Sequence, residues 1–366
     1  MKFQILPFVA LLLVTIPSHR ADGQGTRPFA LLVEAPPLDL PGEVDSNSPV
    51  VWSMLRGQRL VHVTTSTAGQ PSVASGARIT RVVGASPVEF SSHPGHGVWM
   101  EAIVADQQDT WYGYYHNEIP ADICDRPDLV VPRIGAARST DHGITWEDLG
   151  IILEAPAGGE SCGTTNTYFA GGVGDFSAVL DSSATNLYIF FSQYSASAFA
   201  QGTAAARLSW SARDRPVGRI DVWVDGAWLP SSSSLGETEG DPRLVWRYPS
   251  GTPLVVPERP WHDGDPVTDA FWGPSVHWNT ALQRYVMLLN RTQDDTFAQE
   301  GIYVSFAPSL DDPTLWSVPE RLLAGGRWYP QVIGLELGEG TDKLAGGVAR
   351  FFVGGRSTHL IRFGTR

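Results

Sequence analysis

Cysteine and charged residues are both scarce in this sequence of 366 residues. The two cysteines are too few for a disulfide scaffold, in which several bridges replace a hydrophobic core. Charged residues make up 18% of the chain, whereas an average soluble domain has roughly 25%. Coiled coils and long amphipathic helices need more Glu and Lys than this, so the composition argues against both.

Basic residues are scarcer than acidic residues. The chain has 26 Lys and Arg against 39 Asp and Glu, which gives a net charge of −13. A polyanion would be repelled over most of such a surface, and this excludes nucleic-acid binding. In contrast, 38 Gly, 27 Pro and 13 Trp are abundant. Glycine and proline favour tight turns, and so many aromatic residues argue against disorder, so we expect short strands joined by turns.

Long apolar runs are absent except at the N terminus, where residues 3–17 are almost wholly apolar. The run follows Lys2 and precedes a small, polar segment, which is typical of a secretory signal peptide. It is shorter than the roughly 20 residues that a membrane span needs. We therefore predict a signal peptide over residues 1–23 and a single domain over residues 24–366, secreted or periplasmic and without a membrane span. The sequence leaves its oligomeric state open.

The two cysteines, Cys124 and Cys162, allow two interpretations. In an oxidising compartment one disulfide between them is plausible. The alternative is a pair of separate buried thiols.

Five segments of the sequence repeat one pattern. Each has a small or polar cluster, an apolar strand, a short polar turn and a second strand rich in aromatic and β-branched residues, which predicts a β-hairpin. The hairpins are expected near residues 45–63, 97–116, 174–191, 272–289 and 328–353. Further strands follow several of them, so we predict an all-β fold, a five-bladed β-propeller of four-stranded antiparallel blades. A two-domain β-sandwich is the rival architecture.

Two more expectations follow from a propeller. The ring has to close, and residues 29–34 could supply the outer strand of the blade that ends with residues 360–363. The stretches 118–131, 155–172 and 221–268 are rich in Gly and Pro and lack clean periodicity. We expect them to be loops that cover one face of the ring.

The segment STDHGITW, residues 139–146, has the spacing of an Asp-box. It resembles the boxes found on the blades of sialidases and other propellers. We expect the Asp141 carboxylate and the Ser139 hydroxyl to bind backbone amides, Gly143 to take a positive φ, and Trp146 to pack beneath the turn. Such boxes lie on outer turns, so we interpret Asp141 as structural.

Two segments suggest a family. DFSAV at residues 175–179, followed by LYIFF at residues 187–191, and WGPSV at residues 272–276 are similar to hairpins of five-bladed glycoside hydrolases. That superfamily includes arabinanases, β-xylosidases, levansucrases and invertases. The resemblance implies an acidic residue at the funnel end of the inner strand in each of the first three blades. Their roles would be general base or nucleophile, pKa tuner and general acid.

The resemblance requires no cofactor. Some members hold a central Ca²⁺, which leaves a structural Ca²⁺ open here. His277, within an alternating strand, could approach such an ion, and a core histidine is the other interpretation. No spacing of Cys and His suggests another metal site.

Carboxylates are the groups that glycoside cleavage needs. One acid protonates the leaving oxygen while a carboxylate on the other face activates water or attacks directly. Four acids lie at or near the starts of the predicted inner strands: Asp45, Glu101, Asp175 and Asp269. Glu101 lies in an apolar run, so we expect it at a strand end, since burying an unpaired carboxylate is costly. The glycines at 171–174 should bring the backbone before Asp175 close to a neighbour.

Aromatic and polar residues fall near the same predicted end of the strands. The candidates for sugar contacts are Trp99, His116, Asn117, Phe271, Trp272, Trp328 and Tyr329. Ring faces of this kind stack on the C–H edges of pyranoses. The alternative is that large aromatic side chains only plug the narrow end of the ring.

Three functions are compatible with these observations. The first is a secreted glycoside hydrolase-like protein that acts on a poly- or oligosaccharide. Because Trp272 stands where the resemblance places a glutamate, the second is a non-catalytic carbohydrate-binding or assembly propeller. The third is an exo-sialidase-like enzyme, for which Arg133 and Arg138 are the only hint. Two or more carboxylates within about 10 Å of one another would favour an enzyme.

Overall fold

The computed structural model describes residues 26–366 except 93, 122–124, 157, 165–166, 196–199, 239–240, 260 and 262–266. The predicted signal peptide and Cys124 lie outside the described residues. Among the residues described, no helix is long and apolar enough to cross a membrane.

The described residues form five blades of mainly antiparallel strands. The first strand, β1 (Pro28–Asp39), belongs to the last blade. Blade 1 contains β2 (Val50–Leu55), β3 (Gln58–Thr67), β4 (Gln70–Gly76) and β5 (Val82–Pro87). Blade 2 contains the short outer strand β6 (Glu89–Phe90), then β7 (Gly97–Ala105), β8 (Trp111–Pro120), β9 (Val130–Ser139) and β10 (Thr145–Leu153), with which β6 pairs in parallel. Blade 3 contains β11 (Val173–Leu180), β12 (Asn186–Tyr194), β13 (Gln201–Ser209), β14 (Ile220–Val224) and β15 (Ala227–Pro230).

A separate hairpin follows blade 3 and consists of β16 (Ser232–Thr238) and β17 (Asp241–Arg247). Blade 4 contains β18 (Phe271–Asn279), β19 (Arg284–Thr292), β20 (Gln299–Ala307) and β21 (Glu320–Ala324). Blade 5 contains β22 (Pro330–Gly334), β24 (Val348–Val353), β25 (Arg356–Thr365) and β1, while the intervening β23 (Leu344–Ala345) pairs with β18 of blade 4. Short 3-10 helices span Ile79–Arg81, Trp210–Ala212 and Pro313–Leu315. The predicted five-bladed, all-β fold is confirmed.

The ring closes as predicted. Strand β1 pairs antiparallel with β25, and the register runs from Phe29 opposite Gly364 to Glu34 opposite His359. One blade therefore joins the two ends of the described chain, and opening the ring would expose a long row of backbone donors and acceptors.

The core lies between neighbouring blades. In β12 the side chains of Leu187, Ile189 and Phe191 pack towards blade 2, while Tyr188 and Phe190 pack towards blade 4. Successive side chains of a strand point to opposite faces, so a strand buried on both faces is apolar throughout. Each large side chain buried in this way stabilises the fold by about 1.5–3 kcal/mol relative to exposure.

Part of one expected loop is regular structure. Residues 221–268 were expected to form a loop, yet they contain most of β14 and all of β15, β16 and β17. Trp223 pairs opposite Trp228 across β14 and β15, and their rings make an edge-to-face contact at 5.1 Å. Paired aromatic residues explain how a Gly- and Ser-rich stretch still forms strands.

The turn at residues 139–146 forms the hydrogen bonds expected of it. The Asp141 carboxylate accepts from the backbone N–H of Thr145 at 2.9 Å and from its hydroxyl at 2.7 Å. The Ser139 hydroxyl accepts from the N–H of Gly143, whose φ is 82°. The Trp146 indole donates to the Gly143 carbonyl oxygen at 3.0 Å. Asp141 thus stabilises a turn, and the identification of the turn as an Asp-box stays a prediction.

Polar side chains join the blades near their inner strands. The Asn47 amide donates to the carbonyl oxygens of Phe176 in blade 3, at 2.8 Å, and Pro274 in blade 4, at 2.9 Å. Gln331 of blade 5 exchanges two hydrogen bonds with the backbone of Ser48, at 3.1 and 2.7 Å. The segment before blade 1 therefore holds three other blades in register.

The surroundings of His277 do not fit a Ca²⁺ ion. Burial and, to a smaller extent, the nearby positive charge of Lys343 lower the pKa of its ring to about 3. The Lys343 ammonium donates to the Ser177 hydroxyl at 3.0 Å. Because Ca²⁺ prefers six to eight oxygen ligands, an ammonium group beside a lone imidazole is unsuitable surroundings for it.

Candidate functional site

Irregularities in two inner strands position the leading carboxylates. The register of β7 against β8 shifts between Met100 and Ala102, so Glu101 lies at a bulge. The register of β11 against β12 shifts between Gly174 and Phe176, which places Asp175 at a second bulge. A bulge re-aims one side chain without ending the strand.

The structure corrects the expectation for Glu101. It lies inside its strand and is completely buried. Its cost of burial is reduced by a hydrogen bond, since the backbone N–H of Phe176 donates to Oε2 at 2.8 Å. Its other oxygen, Oε1, lies 3.4 Å from His116 Nδ1 and has no hydrogen-bond partner among the residues described.

Asp175 lies against blade 2 because glycine precedes it. A Cβ atom on Gly174 would come within 2.5 Å of the His116 ring. The close approach predicted from the glycine run is thus confirmed. It lets the backbone N–H of Asp175 donate to His116 Nδ1 at 3.0 Å.

These contacts define a compact cluster of Glu101, His116 and Asp175. One donor atom from each lies within 4.8 Å of the others, and all three side chains are buried. The two carboxyl groups come from adjacent blades, and the imidazole lies beside both. The sequence-based criterion of carboxylates within about 10 Å is met.

The cluster has the proximity of a metal site, but its histidine is unsuited to binding a metal. Nδ1 of His116 faces the backbone N–H of Asp175 at 3.0 Å and Oε1 of Glu101 at 3.4 Å, and Nε2 lies 3.4 Å from Oε1 of Glu118. Burial lowers the pKa of His116, but the Glu101 and Glu118 carboxyl groups outweigh it and raise the pKa well above its usual value. A protonated imidazole has no lone pair for an ion. The arrangement is better suited to proton chemistry than to metal binding.

A small cavity of about 80 Å³ gives access to the cluster. It is lined by Asp45, Ser46, Trp99, Glu101, His116, Glu118, Phe169, Asp175 and Tyr329. At about 10–15 Å³ for one water, this is room for several waters or part of a sugar ring. Four of the described lining residues are acidic and none is Lys or Arg.

The cavity opens into a larger groove of about 770 Å³. Asp45 and Tyr329 line both spaces, so they form the junction. The groove continues past Asp39, Arg327 and Trp328. A long ligand in the groove could therefore place one end in the cavity.

Asp45 is held in place by two N–H donors. The Trp99 indole donates to Oδ1 at 2.8 Å and the backbone N–H of Ala68 donates to Oδ2 at 3.1 Å. Burial raises the pKa of Asp45, and the charge of Glu118 adds to the rise, while both donors oppose it. The carboxylate form therefore has fixed partners at the mouth of the cavity.

The two bulge carboxyls have raised pKa values. Burial raises the pKa of Glu101 to about 7, and the charge of Asp175 contributes to the rise. Burial also raises the pKa of Asp175, while the Tyr194 hydroxyl donates to its Oδ2 and acts in the opposite direction. Two carboxyl groups this close cannot both ionise without repulsion, so the cluster tends to hold a proton near neutrality.

Three residues in or beside the cavity, Glu118, Tyr194 and Phe169, were missed in the sequence. Glu118 lies two residues after His116 on β8, and period-2 alternation places both on one face, so this residue could have been found. Tyr194 ends β12, and its ring stacks on Phe169 at 4.2 Å. Phe169 comes from a loop, and no periodic signal links it to the site.

Other expected residues lie elsewhere. Asp269 does not line the cavity: its carboxylate accepts from the Arg259 backbone at 2.9 Å and pairs with Arg291 at 3.3 Å. Asn117 is fully buried, donates to the carbonyl oxygen of Gly97 and accepts from Arg133 at 2.9 Å. Both are structural in this arrangement, which corrects the roles expected of them.

The aromatic residues divide into two groups. Trp99 and Tyr329 line the cavity and Trp328 lines the groove. Trp272 is only 2% exposed and belongs to an aromatic cluster with Phe169, Tyr194, Trp261 and Phe297. Phe271 is also buried and packs edge-to-face on Tyr303. For Trp272 and Phe271, the plugging alternative describes the structure and sugar stacking does not.

The expected arginines also lie away from the cavity. Arg133 donates to Asn117, and Arg138 pairs with Glu147 and Asp214. This weakens the sialidase alternative, which needs arginines around a substrate carboxylate. Cys162 is disulfide-bonded, but its predicted partner Cys124 lies outside the described residues, so the pairing stays a prediction.

Comparison with known proteins gives structural neighbours only. No protein-family model matches the chain, and no curated protein matches it. An endo-arabinase from Bacteroides thetaiotaomicron is similar with 9% identity and a TM-score of 0.48, over 90% of this chain and 96% of the arabinase. A putative exo-β-1,3-galactanase from Bifidobacterium bifidum has 11% identity and a TM-score of 0.46, over 92% of each chain.

A third neighbour is the catalytic domain of a GH62 α-L-arabinofuranosidase from Coprinopsis cinerea. It has 10% identity and a TM-score of 0.46, over 91% of this chain and 96% of that domain. At this distance the likeness carries no residue roles. These three neighbours are an endo-arabinase, an exo-galactanase and an arabinofuranosidase, and the five-bladed fold of this chain rests on its own sheets.

Proposed function

We propose that this protein is a secreted glycoside hydrolase that cleaves a poly- or oligosaccharide at the cavity. The observation that supports this most is the meeting of Glu101 and Asp175, two buried carboxyl groups on adjacent inner strands, with Asp45 at the mouth. Pairs of carboxyl groups whose surroundings separate their pKa values are what acid–base cleavage of a glycoside requires.

Asp45 is the proposed general base or nucleophile. Two N–H donors stabilise its ionised form, and it lies where the groove meets the cavity. A carboxylate in this position can reach a ligand that enters from the groove. Its orientation does not depend on the substrate, since Trp99 and Ala68 already hold both oxygens.

Asp175 is the proposed general acid. It is 4% exposed, and burial raises its pKa, which favours the protonated form that an acid needs. The backbone contact with His116 fixes its position in the cavity. After it gives its proton to the leaving oxygen, the Tyr194 hydroxyl is in place to stabilise the carboxylate.

Glu101 is the proposed pKa tuner. Because none of its surface is exposed, its carboxyl group acts on its neighbours and does not touch a substrate. Its state of ionisation changes the energy of ionising Asp175, since the two groups lie within 4.8 Å. Glu101 thus tunes the cluster, whereas Asp45 and Asp175 are the two carboxyl groups proposed to react with the substrate.

The test is a screen of purified protein against aryl glycosides and plant or microbial polysaccharides. We expect turnover of at least one substrate by the wild type, and losses of about 10²- to 10⁴-fold in Asp45→Asn and Asp175→Asn. Asp128→Asn is the matched control, because Asp128 is exposed and lines neither the cavity nor the groove. It should keep nearly full activity.

The same screen distinguishes a hydrolase from the alternative, a non-catalytic carbohydrate-binding propeller. A protein that binds an oligosaccharide without cleaving any substrate is a carbohydrate-binding propeller, and the proposal is then wrong. Equal activity in the wild type and Asp175→Asn would remove Asp175 from the mechanism.

A further inference from the structure

A second cavity lies at the opposite end of the inner strands from the candidate site. Its volume is about 590 Å³. Asp175 is near the start of β11, whereas Val179 and Leu180 at the end of β11 line this cavity. Likewise Trp272 is near the start of β18, whereas Trp278 lines the cavity near its end. The two spaces therefore face opposite sides of the ring.

The walls of this second cavity are mainly aliphatic. Inner strands of three blades and the segment between β22 and β24 contribute aliphatic side chains: Val50, Val51, Ile103, Val104, Val179, Leu180 and Leu344. Trp278 and Tyr285 add an aromatic corner, with ring centroids 4.8 Å apart. A sugar site would need convergent polar groups, whereas this surface suits a hydrocarbon or aromatic body.

Two cations line the cavity, and only one of them is available. The Lys343 ammonium lies 3.0 Å from the Asp342 carboxylate and donates to the Ser177 hydroxyl, so its charge is compensated inside the protein. Arg59 is exposed and forms no ion pair within the described part of the chain. An unpaired guanidinium at an apolar cavity is a local exception on a chain of net charge −13.

We propose that this cavity binds an amphipathic monocarboxylate. Its apolar body would occupy the aliphatic walls and the Trp278–Tyr285 corner, and its carboxylate would bind the Arg59 guanidinium. Glu339 also lines the cavity and disfavours a second acidic group on the ligand. The inference does not rest on the proposed hydrolase function, because no residue of the candidate site is involved.

The test uses three probes of one chain length: octanoate, 1-octanol and octylammonium. Titration calorimetry with the wild type should give the tightest binding for octanoate. Arg59→Gln should weaken octanoate about fivefold, the size of an exposed charge contact, and leave octanol unchanged. Arg56→Gln is the matched control, since Arg56 is an exposed cation in the β2–β3 turn, three residues before Arg59, and does not line the cavity.

Ala105→Phe tests the apolar part, because Ala105 lines the cavity at the end of β7. The larger side chain should weaken all three probes. The proposal is overturned if no probe binds the wild type, if the three head groups bind equally, or if Arg59→Gln and Arg56→Gln have the same effect. Should Ala105→Phe fail to fold, the two arginine variants still decide the question.

Discussion

Three inner strands of the propeller contain a register shift, and the side chains at or beside the shift differ between the blades. Strands β7, β11 and β18 each shift register against the next strand of their blade. In blades 2 and 3 the residues at the shift are Glu101 and Asp175, which lie beside a common cavity. In blade 4 the shift follows Trp272, which pairs with Asn290 and belongs to an aromatic cluster. The comparison teaches that the fold provides the position and that the residue there decides whether the position serves chemistry or packing.

Blades 1 to 3 supply the carboxyl groups of the cavity, whereas the aromatic cluster extends from Tyr194 of blade 3 through Trp272 of blade 4 to Trp328 before blade 5. We call the part of the ring around the carboxyl groups the proposed reactive side and the part around Trp272 the structural side. Buried acids lower stability and buried aromatic rings raise it, so substitutions at the bulges should have opposite effects on the two sides.

The largest effect is expected at the structural side. Trp272→Ala should lower the free energy of unfolding by about 3–5 kcal/mol, because it removes a ring that contacts Phe297, Trp328 and Tyr329. Chemical denaturation measures the change. Leu337→Ala, at a residue that is 65% exposed, is the control and should change stability by less than about 1 kcal/mol. A small effect of Trp272→Ala would show that blade 4 is not the structural side.

Glu101→Gln is expected to raise the free energy of unfolding, whereas Trp272→Ala lowers it. Folding raises the pKa of Glu101 from 4.5 to about 7. Between pH 4.5 and pH 7, Glu101 is therefore protonated in the folded protein and ionised in the unfolded chain. Stability is therefore lost as the pH rises through this window, by up to about 3 kcal/mol. Glu101→Gln should be more stable than the wild type at pH 8 and should lose that advantage towards pH 4.

Denaturation curves at several pH values measure this difference. A stability difference that stays constant from pH 4 to pH 8 would mean that Glu101 does not titrate in this window. The blade 2 bulge would then hold an ordinary polar side chain.

A smaller effect is expected at Gly273. Its φ is 54°, and an added Cβ would meet the Asn290 side chain at 2.5 Å. Gly273→Ala should destabilise by about 1–3 kcal/mol. Gly84→Ala is the matched control, because Gly84 also has a positive φ but nothing lies within 4 Å of its Cβ position. Equal melting temperatures for the two variants would show that only the backbone matters at this bulge.

The smallest effect is expected at Asp269. Asp269→Asn removes a partly exposed ion pair with Arg291, so stability should change by about 1 kcal/mol or less. Hydrolysis should be unchanged, since the residue does not line the cavity. A loss of activity comparable to that of Asp175→Asn would return Asp269 to the site.

The fold was easier to predict from the sequence than the site. Hairpins depend on local alternation and turn residues, and ring closure follows from the need to pair the edge at residues 29–34. Bulges are not visible in a pattern of period 2, so Glu101 appeared to be out of place in an apolar run. Glu118 was within reach of the same reasoning, as it shares a strand face with His116.

Tertiary packing decided the rest. Trp272 and Trp99 look alike in sequence, yet Trp272 is buried among aromatic rings while the Trp99 indole bonds to Asp45. Asp269 lies close to a strand start, but Arg291 on the neighbouring strand holds it away from the cavity. Such outcomes depend on residues that are distant in sequence, and no local signal contains them.

The central claim is that Asp175 is the general acid at the blade 3 bulge. The most direct measurement is kcat/KM for a series of aryl glycosides with different leaving groups, for the wild type and Asp175→Asn. The account predicts a loss of about 10²- to 10⁴-fold for poor leaving groups and a much smaller loss for good ones, which need no proton. A loss that is the same for every leaving group, or no loss at all, would contradict it.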